Sequence, residues 1–183
     1  MSTDVSASLG HLGETSTVRR RPATDHDVEF LRELYAHTRA DELSELNWSP
    51  EQRRSFCDFQ FDMHEANLRM SRQLVDDEII ESGARPVGRM ITSRAGSPWR
   101  IVDISLMPQY RGVGIGTALL TSFIDEARAA GAGVSLHVLN DSPARRLYER
   151  LGFTVVADAE PRSEMTRPVT LNRAHPVTAS VAR

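Results

Sequence analysis

Apolar residues fall into two rhythms along this chain, and the change between them divides it. Up to about residue 70 they recur at helical spacing. Val28, Leu31, Leu34 and Tyr35 share one side of a 3.6-residue helix. Thr24 precedes them as an N-cap, with Asp25 and Asp27 in the first turn, where acids suit the helix dipole. Ser49-Pro50-Glu51-Gln52 opens a second helix: an N-cap, a proline at the first helical position, and a glutamine closing a capping box. Phe56, Phe59, Phe61 and Met63 thicken that helix, with a core role expected for them, and the pattern fades near Leu68. Ahead of both lies a short strand over Thr17–Arg21.

From Ser71 onward the runs become short and extended: Gln73-Leu74-Val75, Glu78-Ile79-Ile80, Val87–Ile91 and Arg100–Met107. Ser82–Pro86 and Arg94–Pro98 carry turn residues between them, which predicts an antiparallel meander. A glycine-rich loop follows, then a helix over Thr117–Ala130, a strand over Val134–Leu139, a helix over Pro143–Leu151 and a last strand opening at Phe153–Val156. Strand, helix, strand, helix, strand late in a chain requires at least one parallel pair. The class is therefore α/β (α+β). Residues 1–16 and 169–183 lack periodicity and read as tails around one domain over 17–168.

Composition narrows the chemistry. The chain has 183 residues and one cysteine, Cys57, so no internal disulfide and no cysteine-built zinc site is expected, and the thiol reads as inert and buried. No apolar run is long enough to span a membrane, and the first ten residues lack the basic and apolar regions of a secretory signal, so a cytoplasmic protein is expected. The net charge is −3, but residues 25–81 hold 15 acids against 6 arginines, and residues 82–183 hold 13 arginines against 8 acids. That split suits an anionic cofactor in the second half and a cationic substrate drawn to acids such as Asp41, Glu42, Glu45, Asp62 and Glu65. No arginine stripe alternates with aromatics, so nucleic acid is not expected as a partner. His37, His64 and His137 show no metal-ligand spacing with a carboxylate, and no metal is expected.

The densest chemical signal is Gln109-Tyr110-Arg111-Gly112-Val113-Gly114-Ile115-Gly116-Thr117 between a hydrophobic strand and an amphipathic helix. Glycines at a helix mouth let backbone N–H groups and the helix dipole approach phosphate oxygens. A P-loop is excluded because the chain contains no lysine. The dinucleotide fingerprint fails because Thr117 or Leu119 stands where its third glycine or alanine belongs.

Gln109-Tyr110-Arg111-Gly112-Val113-Gly114 resembles the Q/R-x-x-G-x-G/A acyl-CoA signature of the GNAT acyltransferase superfamily. Downstream, Asn140 through Phe153, with Ala144, Leu147-Tyr148 and Gly152-Phe153, is similar to the family's N-x-x-A-x-x-L-Y-x-x-x-G-F segment. The resemblance implies a mostly antiparallel mixed sheet, flanked by helices and splayed between its fourth and fifth strands, with acetyl-CoA in the gap as cosubstrate. It implies backbone contacts to the CoA pyrophosphate from Arg111 through Thr117, pantetheine pairing along Leu106 and Met107, and further cofactor contacts at Gln109, Asn140 and Ala144. Asn140 also suits an ordinary helix cap. Tyr148 would protonate the departing thiolate, or would simply pack beside Leu147 and Leu151. Asp103, the only acid on its strand, would be the general base, or a cross-strand partner for Arg89 or Arg100. The implied function is transfer of an acetyl group to a primary amine of a small molecule or peptide, by a monomer or homodimer. The alternative is a non-catalytic acyl-CoA sensor on the same fold.

Overall fold

The computed structural model describes residues 4–5, 17–70 and 75–169. Its strands are β1 (Asp4–Val5), β2 (Val18–Pro22), β3 (Asp76–Ser82), β4 (Arg85–Ser93), β5 (Trp99–Leu106), β6 (Val134–Leu139), β7 (Thr154–Ala157) and β8 (Arg162–Arg167). They form one mixed sheet in the order β1-β2-β3-β4-β5-β6-β8-β7, antiparallel throughout except for β5 and β6. The helices are α1 (Val28–Ser44), α2 (Pro50–Met70), α3 (Ile115–Ala129) and α4 (Ala144–Arg150).

The helix starts follow the capping chemistry. Ser49 Oγ accepts the Gln52 N–H at 3.2 Å while Gln52 Oε1 accepts the Ser49 N–H at 2.8 Å, a closed capping box. Thr24 does not open α1 directly: a 3₁₀ turn over Asp25–Asp27 intervenes. Asp27 accepts the Thr24 N–H and the Arg21 guanidinium, and that guanidinium chiefly holds its carboxyl well below the usual range.

Two cores lie on opposite faces of the sheet. Leu31 and Leu34 of α1 and Phe61 of α2 pack on Ile79 and Met107, while α3 buries Leu119, Leu120 and Phe123 against Met90, Leu136 and Met165. The expectation that Phe59 and Met63 are core residues fails, since they are 61% and 50% exposed. Along α2 only Cys57 and Phe61 are buried, and burial pushes the Cys57 thiol up.

The strand prediction needs three corrections. The runs at 73–75 and 78–80 are not separate strands: Asp76–Ser82 is a single strand, and residues 71–74 lie outside the described ones. Asp4 and Val5, inside the expected tail, pair with Arg19 and Val18, whereas residues 6–16 and 170–183 lie outside the described residues. Strand β8, unforeseen, inserts between β6 and β7 and buries only Ser163 and Met165. No helix among the described residues is long and apolar enough to cross a membrane.

Ion pairs tie the layers together. Arg20, 1% exposed, donates to Glu78 at 2.9 Å and to Glu126 of α3 at 2.6 Å, and its Nε has no partner. Removing Arg20 strands Glu78, whereas Glu126 keeps Arg94 at 2.7 Å. Arg20→Met should therefore lower unfolding free energy by about 3 kcal/mol in urea titrations. Burial already raises the Glu78 carboxyl, and its folded state holds a proton more readily than its unfolded state. Without Arg20 that preference grows, and a raised carboxyl loses stability as pH rises through it. The deficit should therefore narrow as pH falls toward 5; a deficit constant with pH would contradict this account.

Candidate active site

The gap expected between two central strands is built by a ladder that stops early. The parallel pairing of β5 and β6 spans only Trp99 with Val134, Arg100 with Ser135 and Ile101 with Leu136. Beyond it the strands part. Met107 N–H donates to Val87 O at 2.9 Å, so strand alternation turns the Leu106 N–H and C=O the other way, into the gap. The Leu106 carbonyl is met by Arg111, whose Nε folds back to it at 2.7 Å.

A register shift aims the candidate base. Ile91 pairs with Asp103 but Thr92 pairs with Ile101, leaving Val102 as an extra residue on β5. Such a bulge reverses which face a side chain takes. Ile101 accordingly joins the α3 core, while Asp103 and Ser105 line a cleft on the α1 and α2 side. The cleft, about 340 Å³, is walled by Leu34, Tyr35 and Thr38 of α1 and by His64 of α2. Leu139 and Arg162 close it from the far side of the gap. Ser105 Oγ donates to Asp103 Oδ2 at 2.9 Å. The alternative of a cross-strand arginine partner is not realised: Arg89 is held by Asp77 and Glu65, and Arg100 by the His137 Nδ1 at 2.8 Å.

Tyr148 is set in place by the end of its own helix. Gly152, at φ 86°, donates to Glu149 O, and Phe153 N–H donates to Tyr148 O, both at 3.0 Å. This is a Schellman ending, in which the residue after the left-handed glycine packs back on the last turn. Phe153 meets the Tyr148 ring edge-on at 5.9 Å between centroids. The tyrosine is 8% exposed. Burial, and after it the negative charge of Asp103, pushes its phenol up to about 12. It is therefore a neutral proton donor across the physiological range.

The glycine loop has the geometry of an anion cradle. Met107 leads into a 3₁₀ turn over Pro108–Tyr110, which brings Gln109 and Arg111 to the surface. Gly112 and Gly114 take φ values of 73° and 91°, and Gly114 is the N-cap of α3. Ala118 N–H is the first to reach back, to Gly114 O at 3.0 Å. The N–H groups of Ile115, Gly116 and Thr117 therefore have no carbonyl behind them within the helix. Val113 is exposed, and a Cβ on Gly112 or Gly114 would meet no atom within 4 Å, so the cradle is open to a ligand.

Asn140 has other duties. Its Nδ2 donates to Ala159 O and Glu160 Oε1, both at 3.2 Å, and its Oδ1 accepts from Ser163 Oγ at 2.6 Å. The side chain braces the connection before β8, and it stands four residues before Ala144 where the resembling segment has three. Asp141 holds that place. Ala144, the first residue of α4, packs against the larger core.

The acids expected to draw a cation are engaged elsewhere. Glu42 pairs with Arg39, Asp62 with Arg32 and Glu65 with Arg89, and neither these nor Glu45 line the cleft; the Asp41 side chain lies outside the described ones. The charge split of the sequence is consumed largely in cross-links between arginines and acids. Sequence reasoning also missed Arg162, Ser105 and Tyr35 as cleft residues, because their own segments carry no motif.

Comparison with known proteins agrees with this architecture. The sequence matches the Acetyltransferase (GNAT) family over residues 29–153. Among solved structures, the PaiA N-acetyltransferase of Thermoplasma acidophilum, in complex with coenzyme A, superposes with a TM-score of 0.66 at 16% identity, covering 82% of this chain and 98% of that one. An acetyltransferase from Thermus thermophilus gives 0.58 at 17% identity over 82% and 96%. The histone acetyltransferase HPA2 and related acetyltransferase of Corynebacterium glutamicum gives 0.56 at 21% identity over 85% and 98%. At these identities the structures share the fold, while the sequence match extends over most of the chain. This chain belongs to the GNAT family of acetyltransferases.

Proposed function

We propose that this acetyltransferase moves the acetyl group of acetyl-CoA to a primary amine of a small molecule or peptide by direct attack. The observation that carries the reading is the early end of the β5 and β6 ladder, which leaves Leu106 without a strand partner on the gap side, beside a cleft lined by Asp103 and next to a glycine cradle at the start of α3. The charge of Asp103 also reaches the buried Tyr148 phenol. The cradle fits the cosubstrate: the N–H groups of Ile115, Gly116 and Thr117 suit the pyrophosphate, and the gap-facing backbone of Leu106 suits a pantetheine amide. The N–H and C=O of Met107, expected to share that role, are instead taken by Val87 and Tyr110. Arg111 would leave the Leu106 carbonyl as that edge is taken.

Acetyl-CoA supplies a thioester whose carbonyl carbon accepts the amine nitrogen, so that a C–N bond forms and the C–S bond breaks. Asp103 takes the proton that the amine must lose, its carboxylate oriented by Ser105. Leu106 N–H faces the carbonyl oxygen as charge develops there. Tyr148 gives its proton to the departing sulfur.

Asp103→Asn should lower kcat by about 10²-fold or more, as for loss of one positioned base. Because only the free amine then reacts, its rate should keep rising with pH beyond the point where the parent levels off. A parallel, merely lowered profile would remove Asp103 from the base role. The function itself is tested by thiol release from acetyl-CoA with a panel of amines, with the acetylated product identified by mass spectrometry. Tight acetyl-CoA binding without thiol release for any amine would instead support an acyl-CoA sensor.

A further inference from the structure

Three arginines line the cleft, and two of them already hold carboxylates. Arg89 is 4% exposed between Asp77 and Glu65, at 2.6 Å from each. Arg39 pairs with Glu42 at 2.8 Å and lies over the Tyr35 ring at 5.5 Å. Arg162 differs. It borders the same cleft, and no carboxylate among the described residues lies within ion-pairing distance of it. Its strand pairs it with Leu139, the last residue of β6, so it stands on the lip of the gap opposite the β5 lip that carries Asp103.

A guanidinium left open at the rim of a binding cleft is a carboxylate receptor, because its planar fork matches the two oxygens. We propose that Arg162 binds a carboxylate of the acceptor, so that the acceptor is an amino-carboxylate with its amine at Asp103 and its carboxylate across the gap. The cleft volume of about 340 Å³ suits a molecule of amino-acid size rather than a folded protein segment. The amine end needs no dedicated acid cluster for this, which accords with the engagement of Glu42, Asp62 and Glu65 in ion pairs. This inference rests on the transfer reading above and narrows its substrate.

The test uses the full chain, acetyl-CoA and a graded series of amino acids with increasing distance between amine and carboxylate. Each is paired with its own carboxamide. For the best acid, conversion to the amide should raise KM by about 10-fold or more with kcat within about 3-fold, the size expected for a lost charged hydrogen bond. Arg162→Gln should impose the same rise on the acid and leave the amide unchanged, and Arg162→Lys should restore part of the difference. The residue is exposed and makes no ion pair with any described residue, so the melting temperature should stay at the parent value. Amides that serve as well as acids, or an Arg162→Gln effect equal for both, would overturn the proposal while leaving acetyl transfer intact. Thiol release with other primary amines but with none of this series would overturn the proposal alone, and no thiol release with any amine would overturn the transfer reading with it.

Discussion

Tyr148→Phe is expected to lower turnover by about 10²-fold or more while leaving the melting temperature near that of the parent. The phenylalanine keeps the ring that packs edge-on against Phe153, and the hydroxyl holds no hydrogen bond to any of the described residues. Acetyl-CoA affinity should stay within a few-fold, because a proton delivered to the leaving sulfur acts mainly in the transition state. With the phenol at about 12, the parent should show no alkaline loss of activity from this group until pH rises through that value. The same elevation has a stability signature. Between about 10, where the unfolded tyrosine titrates, and 12, the folded state alone keeps the proton, so the parent should lose stability relative to the variant as pH rises. Single-turnover rates of the two proteins decide the matter: equal rates with chemistry limiting would make the tyrosine a packing residue.

The second large effect is expected at the cradle. Gly114 sits at φ 91°, where a β-branched residue is strained, and nothing within 4 Å would clash with its Cβ. The damage from Gly114→Val therefore divides into backbone strain, felt by the free protein, and shielding of the N–H groups, felt by the ligand. Loss of two charged hydrogen bonds at about 1.5 kcal/mol each corresponds to roughly 10²-fold weaker acetyl-CoA binding by calorimetry. Gly116→Ala is the companion variant, since its Cβ would come only to 4.0 Å from the Leu106 side chain, an ordinary contact. A folded Gly114→Val protein that binds acetyl-CoA as tightly as the parent would place the pyrophosphate elsewhere.

What the sequence disclosed depended on how local the physics is. Strand Val134–Leu139 emerged with its observed bounds and α2 with its capping box, because alternation and capping are settled within a few residues, whereas the Thr24 cap opens a 3₁₀ turn ahead of α1. The Tyr-Glu-Arg-Leu-Gly-Phe run was legible as a family motif, yet its geometric content is a helix ending that aims the tyrosine. Strand β8 escaped because Arg-Ser-Glu-Met-Thr-Arg offers one large apolar residue, and its Ser163 and Met165 alternation gains meaning only beside β6. The orientation of Asp103 was equally hidden. It hangs on one extra residue in β5, and nothing in Arg-Ile-Val-Asp-Ile-Ser announces a bulge. Most of all, the charge split misled, since a sum over a segment does not reveal which acids face arginines across the sheet.

The early end of the β5 and β6 ladder also has a consequence for how the molecule breathes. Amides that find no strand partner exchange with solvent quickly, whereas those in the closed part of the ladder wait for an opening of the fold. In deuterium exchange the backbone from Val102 to Leu106 should thus show alternate protection in the free enzyme, with the β4-facing amides slow and the gap-facing ones fast. An extended ligand laid into the gap acts as a temporary strand, and it should slow only the second set. Saturation at 100 times the dissociation constant would add about 2.7 kcal/mol to the folded state. If acetyl-CoA takes this gap as proposed, the unfinished seam would tie the sheet's integrity to cosubstrate supply, and a starved protein would be softer along this line than a fed one.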